Sequence, residues 1–68
     1  MKTIDSKTSN ERLKHIRLKQ GLTQVKLATL SGITQPNVAS YESGSRTMGL
    51  NAAKKLALAL QIDYKDLI

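Results

Sequence analysis

The sequence predicts a compact all-α domain of five helices, and three observations predict it. Between Thr23 and Gly44, two short helical segments are joined by a glycine turn. Thr8-Ser9-Asn10-Glu11 has the form of a capping box, a Thr followed three residues later by a Glu. Leu50 to Leu60 is dense in Ala, Leu and Lys, the residues that least resist a helix. At 68 residues this is one domain near the lower limit for folding alone, since such chains bury only about 60% of their unfolded surface.

Taken in order, residues 1–7 are polar apart from Met1 and Ile4, without helical periodicity. They are expected to form a flexible arm before a folded unit over 8–68. Helix 1 should run from about Ser9 to Gln20 and stop at Gly21. Leu13 and Ile16 form its inward stripe; Lys14, His15 and Lys19 face outward. Leu18 falls off that stripe, either as a second contact or as an incidental exposed Leu. Helix 2, Gln24 to Leu30, turns Leu27 and Ala28 inward and is stopped by Ser31-Gly32. Gly tolerates the left-handed backbone that follows a helix end, and Ile33 then plugs back toward the core.

Helix 3 starts at Gln35. Thr34 offers a capping oxygen, and Pro36 fits a first turn that needs no backbone donor. At about 100° per residue, Thr34, Val38, Tyr41 and Glu42 share an inward side. Pro36, Ala39, Ser40 and Ser43 share the other, which is small, polar and uncharged. An outer face without charge or bulk suits close approach to a surface. Gly49 is an acceptable cap for helix 4, Leu50 to Leu60, whose core side is Leu50, Ala53, Leu56, Ala57 and Leu60. Leu58 points elsewhere. Asp63-Tyr64-Lys65-Asp66 resembles a carboxylate-capped last turn, helix 5, with Tyr64 packing and Leu67 closing the core.

Eleven Lys and Arg against five Asp and Glu leave a net charge of +6. That charge serves solubility or attracts a polyanion, most often nucleic acid. Two Tyr, with no Phe or Trp, argue against modules that stack single-stranded bases on aromatic rings. With no Cys and one His, no thiolate metal site, disulfide or placed nucleophile is expected. The expectation is therefore no enzyme, no metal, no cofactor and no small-molecule ligand. Nothing approaches the roughly 20 apolar residues of a membrane span, and no secretory segment follows Met1. The location expected is the cytoplasm.

The run from Gly21 to Thr47 resembles the Cro/CI-type (XRE) helix-turn-helix of phage repressors and their bacterial relatives. Its pieces are Gly21-Leu22-Thr23-Gln24, Leu27-Ala28, Gly32-Ile33-Thr34-Gln35 and Glu42-Ser43-Gly44, all in register. The likeness extends from about Arg12 to Leu67. It implies a five-helix, lambda-repressor-like domain in which helices 2 and 3 form the motif. It also implies an ion pair between Arg17 and Glu42, with Arg17 and Gln24 at phosphates and Ser43, Ser45 and Arg46 along the DNA backbone. The chain departs from the family at Lys26, where a Glu would complete a capping box, and at Gln61, where Gly usually ends helix 4. Met48-Gly49 also replaces the family's Pro-Ser.

The function expected is sequence-specific binding of double-stranded DNA by a transcriptional regulator, a repressor first, with helix 3 in the major groove. Gln35 is the leading base reader, because a Gln amide matches adenine through two hydrogen bonds. Pro36 and Ala39 suit thymine methyls, Ser40 suits either kind of base, and Asn37 reaches a phosphate or a base. One domain reads a half-site, so a homodimer on a palindromic operator follows, with Leu58, Ile62 and Ile68 as dimer candidates. Two alternatives stay open. One is an antitoxin or restriction-modification controller that regulates its own operon. The other is a protein-interaction module using the same fold.

Overall fold

A computed structural model describes residues 9–67. The expected arm over 1–7, the Thr8 cap and the dimer candidate Ile68 lie outside those residues. Among the described residues four α-helices follow one another: α1 Ser9–Lys19, α2 Gln24–Ser31, α3 Gln35–Ser43 and α4 Leu50–Leu60. The expected fifth helix is a single 3-10 turn, Tyr64–Asp66. Its backbone bonds, Asp66 N–H to Asp63 O and Leu67 N–H to Tyr64 O, both span three residues, the 3-10 spacing of short pieces. Asp63 Oδ1 accepts the Lys65 N–H at 3.0 Å, the side-chain cap anticipated there. No helix among the described residues is long and apolar enough to cross a membrane.

Local chemistry sets each boundary. α1 ends in a Schellman arrangement. Gly21 adopts φ 74°, its N–H reaches Leu18 O, and the Leu22 N–H reaches Arg17 O at 3.1 Å. α2 begins where Thr23 Oγ1 accepts the Lys26 N–H at 3.0 Å and ends at left-handed Gly32. α4 ends with the same bond pattern as α1, Gln61 N–H to Leu58 O and Ile62 N–H to Ala57 O. There a glutamine holds the left-handed position, at φ 60°. Gln20, the residue after α1, reaches across to cap that end, its Nε2 donating to Leu60 O at 2.8 Å.

Leu13, Leu27, Val38, Leu56, Leu60 and Leu67 are fully buried and, with Ala28 and Ala57, form the core. Ile16, Leu22, Ile33, Tyr41, Met48, Ile62 and Tyr64 pack around it. Leu18 is exposed, so its second contact does not exist among the described residues. Two expected inward residues face out. Leu50, the first residue of α4, is 50% exposed, while Met48 of the preceding loop packs on the core. Thr34 is exposed too, because the residue that caps a helix lies outside its packing face.

Candidate nucleic-acid interface

The recognition helix is positioned by a buried ion pair. Arg17 follows Leu13 by one turn of α1 and shares its buried face. Glu42 lies one turn after Val38 on the buried face of α3. Arg17 Nε donates to Glu42 Oε2, and Arg17 Nη2 donates to Oε1 at 2.9 Å. The third guanidinium nitrogen, Nη1, donates to Leu22 O at 2.7 Å. This planar fork fixes α1, the turn after it and the far end of α3 in one geometry. Among the described residues, no buried side-chain polar atom lacks a hydrogen-bond partner.

The hydrogen bonds continue from that pair to the surface. Gln24 Nε2, at the start of α2, donates to Glu42 Oε1 at 3.1 Å. Gln35 Nε2, at the start of α3, donates to Gln24 Oε1 at 2.8 Å. Both glutamines are half-buried, and each follows a Thr at its helix start. Sequence reading placed Gln24 at a phosphate but missed that it joins the ion pair to Gln35. The repeated Thr-Gln at the two helix starts is the signal that was there to be used.

The rest of the expected interface divides by helical face. Pro36 is exposed and Ala39 and Ser40 are half-buried on the outer side of α3. Ser43, Ser45 and Arg46 are exposed where α3 runs into the next loop. Ser43 and Ser45 share a hydroxyl contact of 3.0 Å. Ser45 Oγ and the Arg46 N–H both turn back to Ser40 O, giving this loop a defined shape. Asn37 lies apart from them. It lines an open groove between α3 and α4 with Tyr41, Asn51 and Lys55.

Two caps differ from expectation. Thr34 sits at the cap position of α3 but makes no side-chain cap bond. The second helical residue, Pro36, has no N–H, and the third N–H, that of Asn37, is bonded to Thr34 O at 3.1 Å. At the other end, left-handed Gly44 (φ 86°) lies against Asn10 of α1, whose Nδ2 donates to Glu42 O at 3.3 Å. The Asn10 clamp also escaped sequence reading, since a surface Asn in a first turn carries no local signal. Lys26 stands exposed in the first turn of α2, where no acidic residue is present. A cation there opposes the helix dipole by a few tenths of a kcal/mol, an effect that a nearby phosphate offsets.

A short helix, a glycine turn and a second helix held at a fixed angle, with polar groups at both helix starts, define a helix-turn-helix DNA-binding domain. The family profile described as helix-turn-helix matches residues 13–67, and the chain belongs to the XRE-type helix-turn-helix family of DNA-binding transcriptional regulators. Its fold is also that of a solved structure, the restriction-modification controller protein C.AhdI from Aeromonas hydrophila. The two share 38% identity at a TM-score of 0.85, over 88% of this chain and 91% of that one. No curated protein sequence matches the chain.

Proposed function

We propose that the protein is a homodimeric repressor, each copy laying α3 in the major groove of one half of a palindromic operator. The observation that carries this reading is the Gln35 amide, held at the start of α3 by Gln24 beside an outer face of small residues. Gln35 reads a base edge, Pro36 and Ala39 meet thymine methyls, and Ser40 bonds a base. Gln24, Ser43, Ser45 and Arg46 bind phosphates and fix the register, with Asn37 at the edge of that set; Arg17, buried and bonded to Glu42 and Leu22, positions α3 instead of meeting a phosphate. So short a list of base readers leaves part of the specificity to DNA shape.

The dimer is supported by Leu58, which is 79% exposed on α4. Ile62 is half-buried against the core and contributes only an edge. The role requires no catalytic residue or cofactor, and such a regulator works in the cytoplasm on nucleoid DNA. A narrower reading, control of a restriction-modification operon, is favoured by the likeness to C.AhdI along nearly the whole of both chains.

Selection of bound sites from a random duplex library, at two salt concentrations, tests the proposal. Enrichment of a palindrome with half-site centres about 34–36 Å apart is the expected result. Salt-sensitive binding without an enriched motif would leave a non-specific DNA binder. No binding at low salt would move the search to protein partners.

A further inference from the structure

We propose that the groove between α3 and α4 is a seat for one phosphate of the DNA backbone, with Lys55 as its charged ligand and Asn37 and Asn51 as its neutral ones. The inference rests on the reading of α3 as the helix that enters the major groove, and adds a contact to it. The groove has a volume of about 330 Å³ and is lined by Thr34, Asn37, Tyr41, Asn51 and Lys55 beside small and apolar residues. Among the described residues Lys55 is the one charge in that lining, and no carboxylate shares it. Among the same residues, none of these five side chains has a hydrogen-bond or ion-pair partner. An ammonium brings three donors, an Asn amide two and a hydroxyl one. The groove therefore gathers a positive charge and a set of donors that the protein itself leaves unused.

It also lies where the reading of α3 calls for a ligand. A helix in the major groove has a sugar-phosphate strand on each side. Gln35 and Asn37 are two residues apart, about 200° round α3, and so sit on opposite flanks. Gln35 is bonded to Gln24 of α2, the phosphate ligand of that flank. Asn37 lines the groove on the α4 flank, where α4 adds Asn51 and, one turn on, Lys55, both exposed. The neighbouring lysine is committed elsewhere. Lys54 Nζ lies 5.4 Å from the centre of the Tyr64 ring, within cation–π range. A step of about 100° round α4 separates a cation held at the C-terminal turn from one that lines the groove.

The operator found by site selection serves for the test. Lys55→Gln and Lys54→Gln each remove one charge from the same helix at an exposed position, and Gln is a good helix former. We expect Lys55→Gln to flatten the slope of log K against log salt by about 0.9. It should weaken binding about five- to tenfold at roughly 0.1 M salt and leave the selected sequence unchanged. Lys54→Gln should leave the slope as it is. Asn51→Ala should weaken all sequences alike without moving the slope. Neutral methylphosphonates placed one at a time along the operator then locate the phosphate. At one position per half-site the replacement should weaken the wild type but add nothing to Lys55→Gln, because groups in contact are not additive.

A slope changed equally by the two lysine variants overturns the proposal, as does a scan in which no methylphosphonate couples to Lys55. Inorganic phosphate added to the free protein supplies a further arm. If it shifts the Asn37 and Asn51 side-chain amide signals while no operator position couples to Lys55, the groove takes a free anion and the backbone assignment is wrong. Arg46→Gln separates the two kinds of failure. If it flattens the slope and Lys55→Gln does not, α3 still reads DNA and only the groove assignment falls. If the wild type binds no duplex, both fall together.

Discussion

Where α1 meets the C-terminal end of α3, contact is made by the Arg17–Glu42 fork and by Asn10 donating to Glu42 O. Where α2 meets α4, it is made by Leu27, Ala28, Leu56, Ala57 and Leu60, all buried. Apolar packing tolerates exchange of shape at similar volume, so the rear of the molecule supplies stability without dictating a precise angle. A planar fork has one good geometry. Placing it under the recognition helix makes the orientation of α3, and of the glutamine at its start, depend on directed bonds. Stability and reading thus draw on different chemistry within one small core.

The largest effect that separates the two ends should come from Glu42→Ala. It strands the Arg17 charge and should destabilise the domain by about 3–5 kcal/mol, a loss that urea denaturation would measure. Leu56→Ala at the rear should remove about 2–5 kcal/mol while the folded fraction keeps the base preferences of the wild type. A changed preference in site selection with that variant would show that the rear also directs reading. Gly44→Ala should remove about 1–2 kcal/mol, since its left-handed backbone disfavours a side chain. The added Cβ would also lie 3.3 Å from Asn10 Nδ2. A melting temperature equal to the wild type's would contradict the cost of a side chain at this left-handed position and show that Asn10 gives way freely. The smallest effect belongs to the rear, where Gln61→Gly relieves the left-handed glutamine and should raise stability by about 0.5–1 kcal/mol.

Much of this was legible in the sequence because helix ends are local events. Thr23 with Gly32, Gly44 after Ser43, and the limits of α4 at Leu50 and Leu60 follow from residues a turn apart. The fifth helix was not legible as a 3-10 turn, because a carboxylate cap before Tyr64 starts either kind of turn. Leu50 reads as core by periodicity, but a helix's first residue lies at the margin of its packing face. The Arg17–Glu42 pair was reached only through family likeness, since nothing local joins residues 25 apart. The link from Arg17 through Glu42 and Gln24 to Gln35 needs three helices in place before it exists, and no short sequence window contains it.

The most direct measurement is site selection with the double replacement Arg17→Met/Glu42→Leu. Apolar residues of similar volume commonly replace a buried ion pair with little loss, and often a gain, in stability, so a melt should show a folded domain. Gln24 would then have no carboxylate to anchor it. We expect this folded variant to bind duplex DNA through its phosphate contacts but to lose the adenine preference at the Gln35 position. A folded double variant that selects the same operator as the wild type, adenine included, would contradict the dependence of reading on the buried pair.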